Sequence, residues 1–262
     1  MTDFGYVENK DNLHSRIEAN LKFGDFNLHK WIENKFNIKK GSKVLDLACG
    51  DGSYTKIFKN KVKKNGLVLG VDKDLELLKT AKKRFKKIPK NISYKYLNYD
   101  KAWKINHNFD WIFSIYALHH ANNFSKIIYN VKKILNKNGT FVVIGPAKKN
   151  SETLYDIHCH VTGKKVPKIY LKKMGRIEKE FYLKLKKSFN NKIIKKFIFN
   201  YKICFPEPID YAKYYWSTPL WREQVKKLKF NKTNYYKIKT LKYIMAKKYK
   251  NLKKQTACVI CG

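Results

Sequence analysis

The segment that most constrains this 262-residue chain is residues 44–55, reading Val-Leu-Asp-Leu-Ala-Cys-Gly-Asp-Gly-Ser-Tyr-Thr. An apolar run carries an acid, Asp46, near its end, turns through Gly50-Asp51-Gly52 and enters a helical pattern. That order predicts a buried strand, a glycine turn and a helix N-terminus, the opening of a nucleotide crevice in an α/β sheet. A dinucleotide site needs space and positive potential for a pyrophosphate there, and a carboxylate four residues before the first glycine repels it. The dinucleotide fingerprint also needs a small residue three positions after Gly52, where this chain has Thr55. A second acid, Asp72, follows the next apolar run at 67–71. It lies 20 positions beyond Gly52, the spacing at which a second strand delivers a carboxylate to ribose hydroxyls. The pattern suits a nucleoside that carries positive charge and no phosphate.

The rest of the chain agrees with such a sheet. Apolar runs at 44–47, 67–71, 92–97, 111–115 and 141–144 alternate with helical stretches and short connections, the mark of parallel strands. Phe124, Ile127, Ile128, Val131 and Ile134 keep a helical period, with Asn122 or Asn123 as the cap. Before the sheet, Leu13, Ile17 and Leu21 make one helical stripe and Leu28, Trp31, Ile32 and Phe36 another. Beyond residue 150 a helix is expected over 151–161, with Ser151 as N-cap and Gly163 as stop. Residues 197–205 alternate as a half-buried strand, and 256–261 read as its partner. The intervening stretch, rich in Tyr and Trp at 211–221, is too long for a hairpin turn and is expected to fold as a helical insertion.

These motifs resemble those of the class I S-adenosylmethionine-dependent methyltransferases. Residues 44–52 are similar to the family's glycine motif, with Ala48 where glycine is common, and Gly70-Val71-Asp72-Lys73 is similar to the second motif. Asn98-Tyr99-Asp100 looks like the third, residues 109–120 like the fourth and residues 135–144 like the fifth. The Ala-Leu-His-His ending of the fourth, at 117–120, is most like the small-molecule branch that contains the ubiquinone- and menaquinone-biosynthesis enzymes. The resemblance implies a Rossmann-like α/β sheet, mostly parallel with an antiparallel C-terminal edge strand, plus N-terminal helices and a helical lid. The expected divisions are an N-terminal helical cap at 1–42, a core at 43–206, a lid at 207–254 and a final core strand at 255–262. It implies S-adenosyl-L-methionine as cofactor and a small-molecule methyl acceptor. Asp46 would anchor the methionine end, Gly50 and Gly52 let the backbone approach, and Asp72 binds the ribose. Asp100 would accept from the adenine amine, while Ala48, Lys73 and Ser114 line the cofactor. His119 and His120 are the candidate general bases, set against a purely structural role for both. The competing functions are an RNA or tRNA methyltransferase and a catalytically silent binding protein of the same fold. Against the first, the fourth motif is not the Asn-Pro-Pro-Tyr or Asp-Pro-Pro-Tyr of amino-methylating nucleic-acid enzymes.

Composition adds two bounds. The formal net charge is +38, yet 54 of the 58 basic residues are lysine, a skew that codon bias explains better than selection for phosphate forks, which favours arginine. Non-specific attraction to polyanions is expected whatever its origin. Five cysteines and no signal-like or membrane-length apolar run point to reduced thiols in a cytoplasmic protein. No metal site is expected. Cys258 and Cys261 sit three apart on a strand and face opposite ways, and His158 and His160 sit two apart on a helix.

Overall fold

A computed structural model of the chain describes residues 10–85, 87–190, 192–225 and 230–262. Residues 1–9 of the expected cap and 226–229 of the expected lid lie outside the described residues. Among the described residues there are seven strands: β1 Lys43–Leu47, β2 Leu67–Asp72, β3 Ile92–Tyr96, β4 Phe109–Ile115, β5 Leu135–Pro146, β6 Ile194–Cys204 and β7 Asn251–Cys261. They form one sheet in the order β3-β2-β1-β4-β5-β7-β6. The first five pair in parallel, and β7 runs antiparallel to both β5 and β6. The C-terminal strand therefore lies inside β6, and the two together make the antiparallel side of the sheet. The order of connection reverses between β1 and β4, the place where open α/β sheets bind ligands outside the carboxyl ends of the strands.

Alternation along each strand builds two cores. Leu45, Leu69, Ile112, Val143 and Val259 point to one face, covered by α5 (Phe124–Ile134) and α8 (Tyr182–Ser188) through Phe124, Ile127, Val131 and Leu185. Val44, Val68, Phe113, Val142 and Cys258 point to the other, covered by α2 (Leu28–Lys35) and α3 (Ser53–Val62) through Ile32, Phe58 and Val62. Each such side chain removed from water contributes about 1.5–3 kcal/mol before the entropy of ordering it is counted. Cys258 and Cys261 fall into these opposite cores, so the C-x-x-C is packing. The remaining helices are α1 Lys10–Phe23, α4 Leu75–Lys83, α6 Thr153–Thr162, α7 Lys168–Lys173, α9 Pro208–Trp216, α10 Pro219–Val225 and α11 Phe230–Ala246. Helices α6, α9, α10 and α11 share a third core with Ile203 and Leu252, at the outer ends of β6 and β7. Tyr211, Tyr214, Tyr215 and Trp221 are buried there. No helix among the described residues is long and apolar enough to cross a membrane.

Local details depart from the sequence expectations at three points. Strand β5 begins at Leu135 rather than at 141, directly after α5, with a register shift against β4 between Phe109 and Trp111. Strand β7 begins at Asn251 because Asn251, Lys253, Lys254 and Gln255 pair with β6 although they show no apolar alternation. Ser151 does not cap α6; its φ is +62° and its hydroxyl accepts from Lys254. His158 and His160, for which a solvent-facing or lid position is expected, meet the helices of residues 207–254: His158 is buried and bonds the Tyr215 hydroxyl at 3.0 Å, and His160 stacks on Tyr243. Asn123 caps α5 by accepting from the Lys126 N–H at 3.0 Å, and Gly163 ends α6 at φ +68°.

Candidate functional site

The site is built where β1 leaves the sheet. The chain passes from Leu47 through Ala48 (φ +60°), Gly50 (φ +55°) and Gly52 (φ +77°) into α3 at Ser53. Three left-handed residues in five reverse the chain tightly enough to start the helix against β2. Gly52 is required twice over, because a Cβ there would lie 2.8 Å from the Ala81 Cβ and 3.0 Å from the Tyr94 hydroxyl. Gly50 faces open space, bounded only by Leu13 of α1 at 3.9 Å. Ala48 holds the same left-handed backbone with a methyl group attached, at a cost of roughly 1 kcal/mol relative to glycine.

Asp46 shares the face of Val44 and is buried. Its Oδ2 accepts from the Thr55 hydroxyl at 2.6 Å, so the residue that breaks the dinucleotide pattern is a partner of the strand acid. No lysine or arginine is paired with Asp46 among the described residues. Burial pushes its carboxyl up from 3.8 to about 7, assisted by the charges of Asp72 and Asp51 and opposed by the Thr55 hydrogen bond. Asp72, at the end of β2, accepts from the Gly50 N–H at 2.8 Å and the Asp74 N–H at 2.9 Å. Burial raises it as well, against those backbone bonds. One N–H on each oxygen uses about half the acceptor capacity of a carboxylate, leaving positions for two hydroxyls.

Asp51 reads in the sequence only as a turn residue. In the structure it is buried and ties three elements together, accepting from His14 of α1 at 2.9 Å, from Ser53, and from the Arg84 guanidinium after α4. Burial acts to raise its carboxyl, but Ser53 and Arg84 outweigh it and hold the group below its ordinary value. The turn is thus ringed by three carboxylates, of which, among the described residues, only Asp51 has a strong cation. A pyrophosphate would meet the unpaired two. A sulfonium and an ammonium would relieve them, so the donor set fits S-adenosylmethionine.

The other candidates are distributed around the same edge. Asp100, after β3, accepts from the Asn122 N–H at 3.0 Å and side chain at 3.4 Å, joining its loop to the one after β4. Lys73 follows Asp72 and is half-buried, and its positive charge helps to lower His120. Ser114 is fully buried, and its hydroxyl donates to the Leu47 carbonyl at 2.9 Å. That bond ties β4 to β1 across the switch point, so Ser114 shapes the crevice rather than presenting its hydroxyl to it. His119 and His120 occupy a 3-10 turn at Leu118–His120, with ring centroids 3.9 Å apart. Arg176 donates to the carbonyls of His119 and Ala121 and holds that turn in place. Burial, with Lys173 and Arg176 nearby, pulls His119 down to about 3. Burial and the neighbouring His119 take His120 well below its ordinary value too. Both rings are neutral and weakly basic, a poor match for proton abstraction near neutrality.

Comparison with known proteins places the chain. A family model described as a methyltransferase domain matches residues 38–195. The chain is 31% identical over 113 residues to the juvenile hormone acid O-methyltransferase of Bombyx mori, covering 42% of this chain and 41% of that protein. It is 25% identical over 127 residues to the ubiquinone/menaquinone biosynthesis C-methyltransferase UbiE of Methylococcus capsulatus, covering 47% and 51%. The chain spans about half the length of the curated relatives it matches. Among solved structures it superposes on a putative methyltransferase from an antibiotic biosynthesis pathway of Anabaena variabilis with a TM-score of 0.62, at 15% identity, over 90% of this chain and 96% of that one. A Geobacter sulfurreducens methyltransferase in complex with S-adenosyl-L-homocysteine aligns with a TM-score of 0.56, at 10% identity, over 97% and 99%. At such identities the likeness is one of fold.

Proposed function

The chain belongs to the methyltransferase-domain family, and from that premise we propose that it transfers a methyl group from S-adenosyl-L-methionine to a small organic molecule. The observation that carries this reading is the buried, cation-free carboxylate of Asp46 beside the glycine turn. When bound, the cofactor supplies a methyl group already activated for displacement. The chain's own residues then have to bind, orient and exclude water.

In this reading Asp46 takes the ammonium of the methionine end, and the remaining lone pairs of Asp72 take the ribose hydroxyls. Asp100 accepts from the adenine amine, with Lys73 and Ala48 lining the pocket. Helix α1 closes the turn from above through Leu13 and His14. Helices α9–α11 serve as the lid on the acceptor side, and the sheet with α2–α5 serves as the donor-binding core. The weak basicity of His119 and His120 favours an acceptor that needs no proton removed by them. The solved Geobacter relative, in complex with S-adenosyl-L-homocysteine, supports the choice of cofactor. A net charge of +38 gives the protein a non-specific pull on polyanions, which physiological salt suppresses.

Calorimetry with S-adenosylmethionine and S-adenosylhomocysteine tests the reading directly. Binding of either below millimolar is the expected result, and failure of both removes it. Metabolite profiling with a methyl-labelled cofactor then identifies the product; label entering bulk RNA instead of the small-molecule extract would overturn the acceptor class.

A further inference from the structure

A second charged centre lies beyond the glycine turn, at the same edge of the sheet. Lys254 of β7 is buried, and its Nζ donates to the Ser151 hydroxyl at 2.9 Å and the Tyr214 hydroxyl at 3.2 Å. No carboxylate is paired with it among the described residues. An ammonium has three N–H groups, and these two partners satisfy two of them. A second cation, Arg16 of α1, is near enough to oppose its charge and donates to the Ser217 carbonyl. Asn20, one turn along α1, donates its side-chain N–H to the Arg16 carbonyl at 2.6 Å. Four elements therefore converge on the ammonium: α1, the loop before α6, α9 and β7. A buried cation with only hydroxyl partners is costly, and a purely structural position there is better filled by an apolar side chain.

Two half-buried tyrosines lie between this centre and the end of β4. Tyr116 follows β4 with φ +54°, bonds the Thr256 hydroxyl and lies 3.4 Å from the Tyr201 hydroxyl. Tyr201 of β6 is the register partner of Lys254 on β7. The Tyr116 and Tyr201 hydroxyls therefore lie between the end of β4, at the switch point, and the strand pair that carries the ammonium.

We propose that Lys254, Tyr214 and Ser151 form the docking point for a carboxylate on the methyl acceptor, so that the acceptor is a small organic acid. This rests on the methyltransferase reading above. Ser151, with its left-handed backbone, accepts from Lys254, and the third N–H of the ammonium is the donor for the incoming carboxylate oxygen.

The carboxylate of the cofactor itself is the other source of the same chemistry, and the test separates the two. S-adenosylhomocysteine affinity is measured by calorimetry for the wild-type chain and Lys254→Met. With that ligand saturating, hexanoate and benzoate are titrated against hexanamide and benzamide. The acids are expected to bind the wild-type protein at least tenfold more tightly than the amides. Lys254→Met should erase that preference, keep S-adenosylhomocysteine affinity within twofold and melt no lower than wild type. Equal binding of acids and amides, or no binding of either acid to wild-type protein that holds S-adenosylhomocysteine, overturns the proposal. So does a tenfold loss of S-adenosylhomocysteine affinity in Lys254→Met, which assigns the ammonium to the cofactor. Wild-type protein that binds no S-adenosylhomocysteine sinks the methyltransferase reading first, and the proposal with it. The acid–amide comparison on wild type decides the matter even where the variant fails to fold.

Discussion

Replacing Asp46 with asparagine separates what its carboxylate costs the fold from what it gives the ligand. In the unfolded chain the group ionises near 3.8, and in the folded chain burial holds its proton up to about 7. Between those values the folded state binds more protons than the unfolded one, so stability falls as pH rises, and above about 7 the whole penalty remains. A span of about three pH units at 1.36 kcal/mol each corresponds to roughly 4 kcal/mol. The asparagine side chain has no charge to bury, and its carbonyl oxygen can still accept from the Thr55 hydroxyl. The variant should match wild type near pH 4 and gain on it steadily, exceeding it by about 2–4 kcal/mol at pH 8. The same change removes a charged acceptor worth about 1.5–3 kcal/mol, weakening S-adenosylmethionine binding roughly tenfold to a hundredfold. Urea denaturation at pH 4, 6 and 8 reads the first effect and calorimetry at pH 8 the second. A stability gap that stays flat with pH, or a variant weaker throughout, refutes the buried unpaired carboxylate. An unchanged affinity refutes its contact with the cofactor.

Three further outcomes follow from the same site. Ala48→Gly relieves a left-handed alanine and should raise stability by about 1 kcal/mol, read as a higher melting temperature of the ligand-free protein. Asp72→Asn keeps one acceptor oxygen for Gly50 but sets an NH2 group against the Asp74 N–H and loses the charge, and should weaken cofactor binding by at least about 1.5–3 kcal/mol, with retention of the fold checked by circular dichroism. His119, held down to about 3, should show no imidazole titration by NMR between pH 5 and 8, and a transition near 6.5 would contradict its burial beside Lys173 and Arg176.

The glycine turn and the acids beside it are legible in the sequence because their constraints are local. Strand, acid, glycines and second acid lie within 29 residues, 44–72, and each has one physical job that restricts its residue type. The third position after Gly52 excludes a pyrophosphate site, and the structure adds that Thr55 is there to bond Asp46. Tertiary context decides what the sequence leaves hidden. Asp51 gathers His14 and Arg84 from 37 and 33 residues away, a relation no window along the chain contains. Ser151 reads as a helix cap because serine usually is one, but its hydroxyl serves a lysine 103 residues later. Lys254 is invisible for a compositional reason: in a chain of 54 lysines, one that is buried carries no signal of its own. The beginning of β7 is hidden in the same way, since its lysines and asparagine pair with β6 without any apolar rhythm.

The separate core shared by α6, α9, α10 and α11 has a consequence for how such a chain can change over generations. Its aromatic packing touches the sheet only at the far ends of β6 and β7, away from the first two strands where the glycine turn is anchored. In the reading proposed above, substitutions there would reshape the acceptor side while the strands that anchor the glycine turn keep their geometry, with α1, which packs Ala19 and Phe23 on this core, joining the two. A lineage built this way can trade one methyl recipient for another without reinventing the machinery that carries the methyl group.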